Sequence, residues 1–327
     1  MPFSSADPNA YFAIAMQAAK GTPQATATKF RFVKYLSGTD ITPELTVQDI
    51  REGGDGLDYG FTYKQNQKVS GQLVFNARPE ILGQVLQLVP GMATWTGATS
   101  PGSPHVFSTN GASHPWATVE FAHPGTLMLQ TISDVRLTGL TIEAMAGEPL
   151  KITAGILGLR QNASSAGMAP TFLSGDPFMY YNTPSYQLDG AADSTIESWK
   201  VDLKLGIEEL LAQDVQLDEA VVQNRDVDFE LVTRAENRTL YGKVYTGAGG
   251  VPTQSVATGS FRGIVVQGTS RIFDVSLPLL SYRGAPLSEL DPDGKTVRQT
   301  VTAQALKGAT ASLVVNLTNG HASAYAP

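Results

Sequence analysis

The chain has 327 residues, beyond the roughly 250 to 300 at which single cores stop growing, so two lobes are expected in preference to one very large one. Its net charge of −7, with no basic run, argues against tight nucleic-acid binding, which needs Lys and Arg to displace phosphate counterions, and its lack of cysteine excludes disulfides, thiolate catalysis and thiolate metal sites together. Charged residues are 16% against a typical ~25%, which suits either a surface partly covered by self-association or a large β domain.

Residues 1–28 read as an N-terminal arm, and MPFSSADPNAYFAIAM lacks the basic start and unbroken apolar run of a secretory leader. No stretch of about 18 apolar residues occurs, so a membrane span is not expected, and the chain reads as soluble and made in a cytoplasm. A first lobe, 29–160, opens on the aromatic strand KFRFVKYL (Lys29–Leu36). REGGDGLDYG (Arg51–Gly60) is a glycine turn rather than a phosphate cradle, because it precedes an aromatic strand and not a helix. VSGQLVF from Val69 alternates with period two. After Pro79 the spacing turns helical, and Ile81, Leu82, Val85, Leu86 and Leu88 form an apolar stripe of about three turns that Pro90-Gly91 ends.

Two irregular stretches follow, about 91–115 and about 161–193; the second, within 161–195, is the candidate linker. In the second lobe, 196–327, SWKVDLKLGIE turns Trp199, Val201, Leu203, Leu205 and Ile207 one way and Lys200, Asp202 and Lys204 the other. DVDFELV, FRGIVVQ, RIFDVSLPLL, VRQTVTAQAL and ASLVVNLT also read as half-buried strands. The predicted fold class is mainly β: two tandem barrel or sandwich lobes, each with a short flanking helix. The lobes align, with Val69/Val227, Leu73/Leu231, Val74/Val232, Ala77/Ala235 and Leu82/Leu240 in register, as an internal duplication would leave them. In the second copy AENRTLYGK shows hardly one helical turn.

The order and spacing of QAAKGTPQA (Gln17–Ala25), the strand ending in KVSGQLVF, the helix with its Leu-rich turn and SWKVDLKLGIEE resemble a tail tube protein of tailed bacteriophages, of the longer variety with two tube-type barrels in one chain. The resemblance spans nearly the whole chain. It implies a structural virion protein without catalysis or cofactor, whose copies join sheets into rings, three chains giving a pseudo-sixfold shape, stacked around a channel that conducts DNA without holding it. It further implies tape measure and tail terminator or tip proteins as partners, no membrane partner, and a virion tail assembled in the bacterial cytoplasm. The stripe Ile81, Leu82, Val85, Leu86 and Leu88 would cover a barrel's outer face. The position matching the family's ring-stacking loop carries Arg51, Glu52, Gly53, Gly54, Asp55, Leu57 and Tyr59; the 1–28 arm is a second candidate.

His105, His114 and His123 stand nine apart but lack the short pair spacing of metal sites, and only Glu120 lies near, so no metal is expected. Asp291-Pro292-Asp293-Gly294 opens like a calcium loop but lacks the later acidic ligand and reads as a turn. Glu208, Glu209, Asp214, Asp218 and Glu219 could serve a hydrolase only if two faced each other across a cleft; a solvated or channel-facing edge is the alternative. Phe178, Tyr180, Tyr181 and Tyr186 could form a sugar platform, which keeps a carbohydrate-binding β-sandwich module of a virion or secreted protein as the second hypothesis.

Overall fold

The computed structural model describes residues 10–52, 59–92, 104–123, 128–163, 168, 172, 179, 184–212, 215–236, 239–246, 256–267, 271–288, 296–309 and 311–320. The architecture is mainly β and its strands pair antiparallel. In chain order come β1 (Tyr11–Met16), β2 (Arg31–Val33), β3 (Asp40–Ile50), β4 (Phe61–Asn76), α1 (Pro79–Leu88), β5 (Pro104–Ser108), β6 (Ala117–His123), β7 (Met128–Met145) and β8 (Lys151–Ala163). They are followed by β9 (Pro184–Leu188), β10 (Ala191–Ala192), β11 (Ile196–Leu211), β12 (Leu217–Arg234), α2 (Thr239–Tyr245), β13 (Thr258–Gln267), β14 (Arg271–Gly284), β15 (Arg298–Ala305) and β16 (Val314–Thr318).

The two halves share one order of pairing. The first runs β2-β1-β6-β7-β8-β4-β3 and the second β10-β9-β13-β14-β15-β12-β11. Registers correspond as well: β4 meets β8 down to Asn76↔Lys151, and β12 meets β15 down to Arg234↔Arg298, with Val74 and Val232 two residues earlier in each. Bulges recur in step. The β3–β4 hairpin shifts register between Thr46 and Val47 and the β11–β12 hairpin between Gly206 and Ile207; β7–β8 shifts between Leu137 and Gly139 and β14–β15 between Tyr282 and Gly284. An extra residue bends a strand and sharpens its twist, so matched bulges impose matched curvature on the two halves.

Strand β7 joins the halves. Its first part pairs with β6, and beyond the bulge Gly139 to Met145 pair with β11, from Gly139↔Lys204 to Met145↔Ser198, while β8 follows along the other side. At the seam the backbone approach demands glycine: a Cβ on Gly139 would lie 2.8 Å from Leu203 O. On one side of this run the alternating apolar residues enter the main core. Trp199, Phe229 and Tyr186 pack around Phe261, with ring centroids at 5.6, 4.6 and 6.3 Å. Burying side chains of this size contributes about 1.5–3 kcal/mol each.

Helix α1 begins with Pro79 in its first turn. The sequence shows one apolar stripe, and Ile81, Leu82, Val85, Leu86 and Leu88 are indeed buried; but Gly83 and Gln84 are buried too, so the helix is covered nearly all round. The Gln84 side-chain amide meets its burial by donating to Ile14 O (3.4 Å). Helix α2 runs over Thr239–Tyr245, longer than the single turn expected, with Leu240 and Val244 packed on the core and the Tyr245 hydroxyl accepting from the Ala285 N–H at 3.1 Å. Tertiary contact supplies what weak helix propensity does not.

Part of the segment 1–28 is strand: β1 is buried along its whole length and pairs with both β2 and β6. Within 161–195, β9 and β10 extend the second half's sheet from β13.

Candidate functional site

Opposite the core, the strands of both halves share a polar face. Residues directly across an antiparallel pair project to the same side, so the registers can be followed from strand to strand. One row reads Asn76, Lys151, Glu143, Lys200, Glu230, Thr302 and Gly284, crossing β4, β8, β7, β11, β12, β15 and β14. The next reads Val74, Thr153, Thr141, Asp202, Asp228 and Gln304, and a third Asp40, Gln72, Gly155, Gly139, Lys204 and Asp226. Both halves contribute to each row.

The charges on this face are paired. Lys151 and Lys200 both reach Glu143 at 3.4 Å, the second across the seam, where the Thr141 hydroxyl also donates to Asp202 at 2.8 Å. Lys204 lies 2.8 Å from Asp228 and 3.4 Å from Asp202; Lys68 lies 2.7 Å from Glu209 and 3.6 Å from Glu44. The hydrogen bond to Asp228 and the charge of Asp202 hold Lys204 above the ordinary lysine range. For Lys68 burial pulls the other way, but the hydrogen bond and charge of Glu209, with Glu44 behind them, outweigh it and raise the ammonium. Arg298 pairs with Glu197 at 2.6 Å. Asp226 and Glu230 add further negative charge, so the face is charge-paired with an acidic excess.

Of the acidic residues flagged in the sequence, the four that are described are each held by a basic or amide side chain and do not face one another across a cleft. Glu209 faces Lys68; Glu219 binds Lys20 (2.9 Å) and Arg136 (3.4 Å); the Glu208 carboxylate accepts from Gln223; Asp218 is 3.6 Å from Lys20; Asp214 lies outside the described residues. Burial raises the Glu219 carboxyl, yet Lys20 and then Arg136 prevail and hold it below the usual range. Arg136 itself lies 3.7 Å from the Trp116 ring centroid, a cation–π contact in a partly buried site.

The histidines are dispersed. His105 is buried on β5 with its ring against Phe107 (6.5 Å); His114 is exposed and depressed by partial burial and then by Arg136 and Arg225; His123 ends β6. Among the described residues no group of three or more His, Asp or Glu could hold a metal ion. Tyr186 is buried in the core, whereas Phe178, Tyr180, Tyr181 and the 291–294 turn lie outside the described residues.

Of the residues matched to the stacking loop, Arg51, Glu52 and Tyr59 are described, and Gly53, Gly54, Asp55 and Leu57 are not. The three described residues adjoin the ends of β3 and β4, where the Arg51 guanidinium stands 5.3 Å from the Tyr59 ring centroid and Tyr59 and Phe61 are 66% and 63% exposed. Sequence reasoning had Lys200, Asp202 and Lys204 on one face but missed their partners Glu143 and Asp228, which only register brings opposite; the period-two acids of DVDFELV were the available signal.

No helix among the described residues is long and apolar enough to cross a membrane. No curated protein matched the chain in sequence. The family model for phage tail tube protein matches residues 8–317, nearly the whole length, which covers both halves and the face they share. The chain therefore belongs to the phage tail tube protein family, structural components of the virion tail that self-assemble into a tube.

Proposed function

We propose that this protein is the major tube subunit: three chains, each with two tandem tube-type lobes, close into a ring of pseudo-sixfold outline, rings stack, and phage DNA travels through the channel on its way into the host. The observation that carries this reading is the single run of strands, apolar and buried on one side and polar on the other, that passes uninterrupted from one half of the chain to the other. The remaining sheet layer and both helices lie on the apolar side. A wall closes with its bulk outward, because the outer circumference is the longer, and so leaves the polar face inside.

Such a lining suits passage without capture. Lysines already held by carboxylates have little to gain from phosphate, and excess acid repels it. The role needs no catalytic group. The hairpin tip at 51–60 serves stacking, the family flanks the tube with tape measure and terminator or tip proteins, and assembly takes place in the host cytoplasm.

Negative-stain electron microscopy of the purified protein across a concentration series tests the reading. Hollow tubes or stacked rings with threefold rotational averages are expected; dispersed chains at every concentration would overturn the reading, and glycan binding by them would put the carbohydrate-binding module in its place.

A further inference from the structure

We propose that the outer edge of β3 in one chain pairs with residues 284–288 of a second copy, with Ile41 opposite Leu287, so that chains join by the same seam that unites the two halves of each. The inference rests on the tube reading and specifies its joint.

The template is the pairing of β11 with β7, where Val201 stands opposite Ile142, Leu203 opposite Leu140 and Lys204 opposite Gly139. The matched hairpin bulges make Ile41, Pro43 and Glu44 the counterparts of Val201, Leu203 and Lys204. The matched bulges at Gly139 and Gly284 make Leu287, Ala285 and Gly284 the counterparts of Ile142, Leu140 and Gly139. Within one chain these counterparts do not meet: among the described residues β3 pairs only with β4.

Three features of the two edges fit the joint. Backbone direction is the first. Ser288 N–H donates to Arg298 O (2.7 Å) and Pro286 O accepts from Thr300 N–H (3.1 Å), so 286 and 288 face β15 and alternation turns Leu287 outward. Side chains are the second: Val201 and Ile142 are fully buried at 0% exposure, whereas Leu287 is 46% exposed and Ile41 only half-buried, apolar groups that the joint would cover. The third is glycine, retained at Gly284 where the seam's close approach requires Gly139. Pro43 offers no N–H and that of Ala285 is already given to Tyr245, so the ladder centres on Ile41 and Leu287, while the two prolines discourage pairing in other registers.

A chain without cysteine allows a direct test. Asp40 and Ser288 are the counterparts of Lys200 and Glu143, which approach to 3.4 Å in the internal seam, and they stand at a closely spaced, non-hydrogen-bonded pair. Asp40→Cys combined with Ser288→Cys, assembled and treated with an oxidant, should give a ladder of covalent dimers and larger species on non-reducing gels, with each single variant remaining one chain long. Thr42→Cys combined with Ser288→Cys, two residues out of register, should give little. Tubes that never crosslink through Asp40→Cys/Ser288→Cys, or that crosslink as well through the shifted pair, would overturn this joint and leave the tube reading standing. Dispersed chains at all concentrations would overturn both.

Discussion

Lys204 Nζ lies 2.8 Å from Asp228 on the neighbouring strand and 3.4 Å from Asp202 on its own, so this cation is held between two carboxylates at the middle of the polar face. Removing both acids would free it. Asp202→Asn with Asp228→Asn is expected to leave the fold intact, return the Lys204 ammonium toward its ordinary range and increase DNA retention by assembled tubes. Cosedimentation of DNA with tubes across a salt series checks this: retention should rise above the parent's and fall steeply with salt. Equal retention at every salt concentration would remove the face from DNA passage.

Gly139 and Gly284 hold equivalent places but should respond differently to a side chain. A Cβ on Gly139 meets the Leu203 carbonyl at 2.8 Å, a backbone atom with nowhere to retreat, so Gly139→Val is expected to destabilise the isolated chain by about 1–3 kcal/mol in denaturant melts. A Cβ on Gly284 is crowded by the Thr302 hydroxyl at 3.0 Å, on a side chain able to turn aside, and meets Pro286 Cδ and the Tyr245 hydroxyl at an ordinary 3.8 Å. Gly284→Ala should unfold with a midpoint close to the parent's yet assemble poorly, as sedimentation would show.

Glu219 gives the acid limb of stability a definite sign. Its carboxyl is held low by Lys20 and Arg136, so its contribution is complete above the ordinary carboxylate range and is lost as pH falls through the lowered folded value. Glu219→Gln should therefore lower the thermal midpoint at neutral pH, and the gap from the parent should close as the solution is acidified. A gap that stayed constant into strong acid would mean that the ion pairs contribute nothing.

Shortening the β3–β4 tip by deleting Gly53 to Leu57 should leave a soluble, folded chain that still forms rings but no longer stacks them. Circular dichroism would report the fold and electron microscopy the stacking; tubes of normal length would place the stacking contact elsewhere.

Alternation made much of this structure legible. Trp199, Val201, Leu203 and Leu205 are buried as their spacing predicts, the alignment of Val69 with Val227 matches the pairing registers, and α1 sits where Pro79 and the apolar stripe place it. Other features left no such trace. Tyr11–Met16 is buried on both faces, and a continuous apolar run has no period by which to distinguish strand from arm. β9 is a short strand whose partner β13 lies far along the chain, and β10 is only Ala191–Ala192 paired back on β9. The polar face was half visible, since local spacing sets which way Lys200 points but only long-range register brings Glu143 opposite it.

The β7–β11 seam has a kinetic consequence. Strands tethered within one polypeptide meet at an effective concentration on the order of millimolar, whatever the amount of protein present. In the proposed three-chain ring, half of the joints are therefore completed as each chain folds, and only the alternate ones wait for other molecules. In that ring three double chains need two encounters between molecules before the last joint closes within the assembly, where six single-lobed chains would need five, so closure follows a lower power of concentration and strands fewer partial rings.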